Sequence, residues 1–184
     1  EKNEGCNSMQ CYRCGEHFSW SSATLVEVPT AASSGSKSKM VMQLLWSACN
    51  RGDLDAVERL LKRYEGDLNV NFDGKCTPLC IASQKGHAPV VELLLAASDI
   101  DVNQAKTKNG ATPLFLACQN GHKPIVELLL ASSVIAINQA RTTDGGTPLC
   151  IACYMGHTHV VELLLAASST NVNEARTDNG ATAL

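Results

Sequence analysis

The chain has 184 residues, enough for one domain with a substantial core, and a formal charge of -3 from 15 basic and 18 acidic residues. With no basic block in it, the composition argues against nucleic acid as the partner. No apolar run approaches the roughly 18–20 residues of a membrane span, and Glu1-Lys2-Asn3-Glu4 has neither the basic nor the apolar region of a secretory signal.

At the N-terminus, Cys6, Cys11, Cys14 and His17 lie within twelve residues. Cys11-x-x-Cys14 has the spacing of half a zinc site, because four thiolate or imidazole ligands complete the metal's tetrahedron. The string from Glu1 to Trp20 resembles the final, catalytic zinc module of the RING-between-RING ubiquitin ligases. The resemblance implies that Cys6 accepts ubiquitin as a thioester and that Cys11 and Cys14 form one zinc-binding pair. It also implies losses. Ser8 stands where that family has a histidine base, and Ser19 and Ser22 stand where it has zinc-binding cysteines. A serine hydroxyl is a poor zinc ligand beside a thiolate, and a thiol without its base is a weak nucleophile. A degenerate, irregular module over residues 1–22 is therefore expected. Residues 23–39, rich in Ser, Ala, Gly and Thr, have little to bury and read as a flexible linker.

From residue 40 onward the sequence repeats itself. Thr77-Pro78-Leu79-Cys80-Ile81-Ala82 recurs in kind at Thr112 and at Thr147, 35 residues apart each time. Each copy runs through a Gly-His pair (Gly86-His87, Gly121-His122, Gly156-His157) to Val/Ile-Val-Glu-Leu-Leu-Leu. A fixed period in this range marks a stacked-repeat architecture. In each copy the threonine is suited to cap a helix whose first residue is proline, predicted over Pro78 to about Lys85 in the first full copy. Gly86 then supplies a left-handed turn. A second helix is predicted from about Pro89 to Ala97, too apolar for one covered face alone. The stretch from Asp101 to Ala111 reads as an extended loop closed by a tight Asn109-Gly110 turn. A looser, more charged copy precedes these: Leu45 to Asp53 aligns with the stretch ending at His87, and Val57 to Leu61 with Val91 to Leu95. The copies are placed at about 43–76, 77–111, 112–146 and 147–181, with another beginning at 182. The start without Met and the end inside a new copy suggest a fragment of a longer chain.

Thr-Pro-Leu, Gly-His, Val-Val-x-Leu-Leu-Leu and Val102-Asn103 together resemble the ankyrin repeat over residues 40–184. The resemblance implies an all-α solenoid of helix-turn-helix units joined by β-hairpin loops, used as a protein-interaction scaffold through a concave surface. Two departures stand out. The period exceeds the family's usual 33 residues. The family's histidine after Thr-Pro-Leu is Cys80, Phe115 or Cys150 here, so a hydrogen-bonded link between hairpin and helix is expected to give way to apolar packing.

By position, the resemblance places partner contacts at Lys108, Asn109 and Ala111, and at Thr143, Asp144 and Gly146, on the hairpins. On the first helices it places them at Asn50 and Arg51, Gln84 and Lys85, Gln119 and Asn120, and Tyr154 and Met155. These helix positions vary between copies while the core letters do not. Tyr154 and Met155 are the expected anchor, since aromatic and Met side chains are enriched at interface centres. The partner is expected to be a protein of unidentified kind. The rival reading is a ubiquitin ligase whose repeats recruit substrate, which adds ubiquitin and a conjugating enzyme as partners and zinc as a cofactor. The array itself calls for no cofactor. His87, His122 and His157 hold one fixed repeat position, so a structural role at the turn is expected. Nine cysteines do not imply disulfides, because equivalent cysteines of stacked copies stand about 10 Å apart and a bond needs Cα atoms within about 7 Å. Reduced, buried thiols in a cytoplasmic protein are the expectation.

Overall fold

The computed structural model describes residues 8–10, 17–19, 34–64, 66–72, 76–174, 176–178 and 180–183. They belong to two units, Glu1–Ser33 and Ser34–Leu184. In the first unit β1 (Ser8–Gln10) and β2 (His17–Ser19) pair antiparallel, with Ser8 opposite Ser19 and Met9 opposite Phe18. The segment expected to be irregular thus holds a short ladder, which satisfies backbone groups that would otherwise need other partners.

The described residues of the second unit form eight helices: α1 (Ser34–Arg51), α2 (Leu54–Leu61), α3 (Pro78–Lys85), α4 (Ala88–Leu95), α5 (Pro113–Gln119), α6 (Lys123–Leu130), α7 (Pro148–Tyr154) and α8 (Thr158–Ala166). The local causes are those the residues suggest. Thr77, Thr112 and Thr147 accept from the backbone N–H three residues on (3.2, 3.1 and 3.2 Å), and proline follows each, where its missing N–H costs nothing. Gly86, Gly121 and Gly156 then turn the chain with φ of 84, 70 and 73°. One boundary differs from expectation. α1 starts at Ser34, inside the stretch read as linker, and has 18 residues where α3 has 8. Ser34–Lys39 lack apolar periodicity of their own, but helix propagates cheaply from a segment already held by packing at Met42 and Leu45.

The helices stack in two rows. α1, α3, α5 and α7 pack in succession, and α2, α4, α6 and α8 form the second row against them. Ala48, Ala82, Ala117 and Ala152 recur at one position of the first row and are all buried, letting the helices approach closely. Val57, Val91, Val126, Leu94, Leu129 and Leu164 fill the space between the rows. Among the described residues the loops between copies turn back on themselves without forming strands. Lys106 N donates to Ala111 O and Gly110 N to Lys106 O, both at 2.9 Å, and the pattern repeats at Arg141 and Arg176. The expected β-hairpin loops are therefore hydrogen-bonded turns. Outside the N-terminal strands, the described residues contain one isolated bridge, Phe72 to Cys76. Among the described residues no helix is long and apolar enough to cross a membrane.

Candidate functional site

The ends of the first-row helices and the turns that follow each copy are where the expected contact residues fall. Arg51, Lys85, Asn120, Tyr154 and Met155 are exposed, and Asn50, Gln84 and Gln119 are half-buried. Tyr154 shows 78% of its surface and Met155 44%, both large for side chains with so much apolar area. Beside them opens a cavity of about 630 Å³ lined by Gln119, Arg141, Ile151, Cys153, Tyr154, Met155 and Arg176 among others. On the turns Lys108 and Thr143 are exposed and Asn109 is half-buried.

Three of the turn positions are buried. Ala111 is 1% exposed and Gly146 is buried, because the carbonyl of each closes its turn by accepting from Lys106 N or Arg141 N. Asp144 is only 8% exposed. Its Oδ1 accepts from Arg141 Nε at 2.8 Å and from Gly146 N at 3.2 Å, and its Oδ2 accepts from Arg141 Nη2 and from Arg176 Nη2, the latter at 2.8 Å. Arg176 belongs to the next turn, so this carboxylate ties the third copy to the fourth. The Arg141 guanidinium in particular holds the Asp144 carboxyl down at about 2.

The histidines do what a fixed repeat position suggests. Nε2 of His87, His122 and His157 lies 3.2, 3.2 and 3.1 Å from the carbonyl oxygens of Asn50, Gln84 and Gln119, each in the preceding copy. A carbonyl only accepts, so Nε2 carries the proton. The same rings cover Gly52, Gly86 and Gly121, where an added Cβ would meet imidazole atoms at 2.5, 2.8 and 2.7 Å. Among the described residues no group of three His, Cys, Asp or Glu could hold a metal.

The hairpin-to-helix link expected to be missing is present in altered form. Cys80 Sγ donates to Gln104 O at 3.4 Å, and Cys150 Sγ lies 3.8 Å from Glu174 O. Burial pushes the Cys80 thiol up to about 11 and the Cys49 thiol up to about 12, so both stay protonated. In the intervening copy the Arg141 guanidinium lies over the Phe115 ring, 4.9 Å from its centroid. The six cysteines of the array are all free thiols.

A second ladder was not foreseen. Asn69, Asn103 and Asn138 each donate Nδ2–H to a carbonyl of the next copy's loop (Asp99, Val134 and Ser169) at 2.6–2.8 Å. Each Oδ1 also accepts a backbone N–H from that loop, from Asp101, Ala136 and Asn171. Their spacing of 34 and 35 residues was the available signal. Lys106, Arg141 and Arg176, also 35 apart, were likewise overlooked as a column along the turns. Cys6, Cys11 and Cys14, the residues of the ligase and zinc readings, lie outside the described residues.

Residues 44–140 match the family described as ankyrin repeats in three copies, and residues 144–178 match a single ankyrin repeat. A BTB/POZ domain-containing protein 3 of Schizosaccharomyces pombe is 43% identical over 51 residues, which is 28% of this chain and 10% of that relative. The chain thus spans about a tenth of the length of the curated relative it matches. With more than half the chain matched, and with helix pairs stacked in register through their Gly-His turns and asparagine ladder, it belongs to the ankyrin-repeat family.

Proposed function

We propose that the array holds a partner protein against the ends of its first-row helices and the adjoining turns. The observation that carries this reading is the contrast along α1, α3, α5 and α7. Their buried positions repeat nearly unchanged, whereas the pair of residues at their ends changes from Asn50-Arg51 to Gln84-Lys85, Gln119-Asn120 and the exposed Tyr154-Met155. A surface kept only for solubility would not gather an exposed aromatic ring and a Met beside a cavity. Buried thiols held protonated and histidines committed to neighbouring carbonyls leave the array's own groups suited to scaffolding.

The test is photocrosslinking from the array. A benzophenone side chain at position 154 should capture the partner, and one at Leu128 on the second row should not. With the benzophenone moved to the exposed position 120 at the end of α5, Tyr154→Ala with Met155→Ala should lose the captured band while keeping the helical circular dichroism of the parent. Equal capture from both rows would remove the assignment of the face.

A further inference from the structure

The face just described carries a charge pattern that points to the chemistry of what it holds, and the inference rests on the reading of that face as the partner-binding one. Three of its cations are neutralised locally. Arg51 lies 3.9 Å from Asp53, Arg141 pairs with Asp144, and Arg176 pairs with Asp144 and Asp178. Three are not. Lys85 and Lys108 are exposed, and neither has a carboxylate partner among the described residues. Lys106 donates its Nζ to the neutral amide of Gln84 at 2.8 Å, which fixes the turn carrying Lys106 and Lys108 beside the end of α3 that carries Lys85. In the same loop the Asp101 carboxylate accepts from Asn103 N at 2.9 Å. In a chain of net charge -3, three uncompensated ammonium groups in one copy form a local positive site. Two helices further along the same row stands the apolar pair Tyr154-Met155.

Stacked helices lie about 8–10 Å apart, so two steps from α3 to α7 cover about 20 Å. An extended chain advances about 3.3 Å per residue and crosses that distance in about six residues. We propose that the partner presents an extended acidic segment whose carboxylates meet Lys85, Lys106 and Lys108. A bulky apolar residue about six positions along that segment seats beside Tyr154 and Met155. A protein segment fits better than a nucleic acid, because three charges on one copy, followed by an uncharged apolar end, do not track a continuous phosphate backbone.

A random twelve-residue peptide display library panned against the whole 184-residue chain tests this. Selected peptides should be rich in Asp and Glu with an aromatic or aliphatic residue five to seven positions away. Their binding should weaken as salt rises from about 50 to about 300 mM, as expected for exposed charge pairs. It should fall at least tenfold in the Lys85→Glu, Lys108→Glu double variant, with the circular dichroism unchanged. Peptides that protect Tyr154 and Met155 but are neutral or basic would overturn the acidic-segment proposal while leaving the face in place. Binders that map to the second row, or a library that yields none, would overturn the face and the proposal with it. Displacement of the selected peptides by polyuridylate at equal charge concentration would replace a protein partner with a nucleic acid.

Discussion

Ser83 occupies, in the second copy, the position that Cys49, Cys118 and Cys153 hold in the others. It is fully buried, and its Oγ has no hydrogen-bond partner. A buried hydroxyl left unpaired costs about 1–3 kcal/mol, whereas a thiol is content in an apolar site. Ser83→Cys should therefore raise the stability of the array by about 1 kcal/mol, read as a higher urea midpoint at unchanged slope. A lowered midpoint would show that the hydroxyl is better accommodated than its surroundings indicate. Asp144 makes the opposite case, a polar group with every neighbour supplied. Its carboxyl titrates at about 2 in the fold against an ordinary value of 3.8. Because the folded value is the lower one, its contribution is fully present above about pH 4 and is lost as the pH falls toward 2. The contribution is on the order of 1–2 kcal/mol. Asp144→Asn should thus cost about that much at pH 6 and almost nothing at pH 2, in urea titrations of the two proteins side by side. A penalty independent of pH would assign the effect to packing in place of charge.

At the scale of the element, each helix-turn-helix unit is legible in the sequence because its signals are local. The threonine cap, the proline after it and the left-handed glycine act within one turn of chain, so their letters specify their geometry. What the glycines do for the neighbour is less local. Gly121 combines a φ of 70° with a ring of the next copy at 2.7 Å from where a Cβ would stand, whereas Gly156 has a φ of 73° with nothing within 4 Å. Gly121→Ala and Gly156→Ala therefore share the left-handed penalty of about 1–2 kcal/mol, and only the first also displaces His157 from Gln119. The first should be the more destabilising by at least about 1 kcal/mol in chemical denaturation, the order of the lost hydrogen bond. Equal losses would show that the imidazole can step aside at no cost, and that the Gly-His pair serves the turn alone. The N-terminal extension of α1 and the β1–β2 ladder were missed for the converse reason. Neither has a cap or periodic signal in the letters, and both depend on what the backbone can pair with or propagate from.

Over the whole molecule, the legible part of the candidate site was its row of helix ends, and the illegible part was its turns. Register alone places Gln84, Gln119 and Tyr154 at one level of successive copies. The burial of Ala111 accompanies the hydrogen bond that closes its own turn, and that of Asp144 accompanies bonds within its turn together with one from Arg176 of the next, which its own copy does not encode. That distinction also governs how the array opens. Stability in a stacked solenoid is the sum of each unit's own contribution and of its contacts with the units beside it. α6 lies between α4 and α8, while α8 has α6 and α7 as its packing partners among the described helices. Leu129 and Leu164 are both fully buried, so burial alone would predict equal protection. Neighbour coupling predicts otherwise. Losing α8 from the stack breaks its packing on α6 and α7, whereas opening α6 breaks its packing on α4, α5 and α8, and the free energy of local opening should differ by more than about 1.4 kcal/mol, a factor of ten in rate. In native-state hydrogen exchange on the 184-residue chain, the Leu164 amide should exchange at least tenfold faster than that of Leu129. Identical rates, both tracking global unfolding, would mean that the four copies open as one cooperative body. The His157, Asp144 and Asn138 links to the last copy would then be strong enough to erase the difference between an inner and an outer unit.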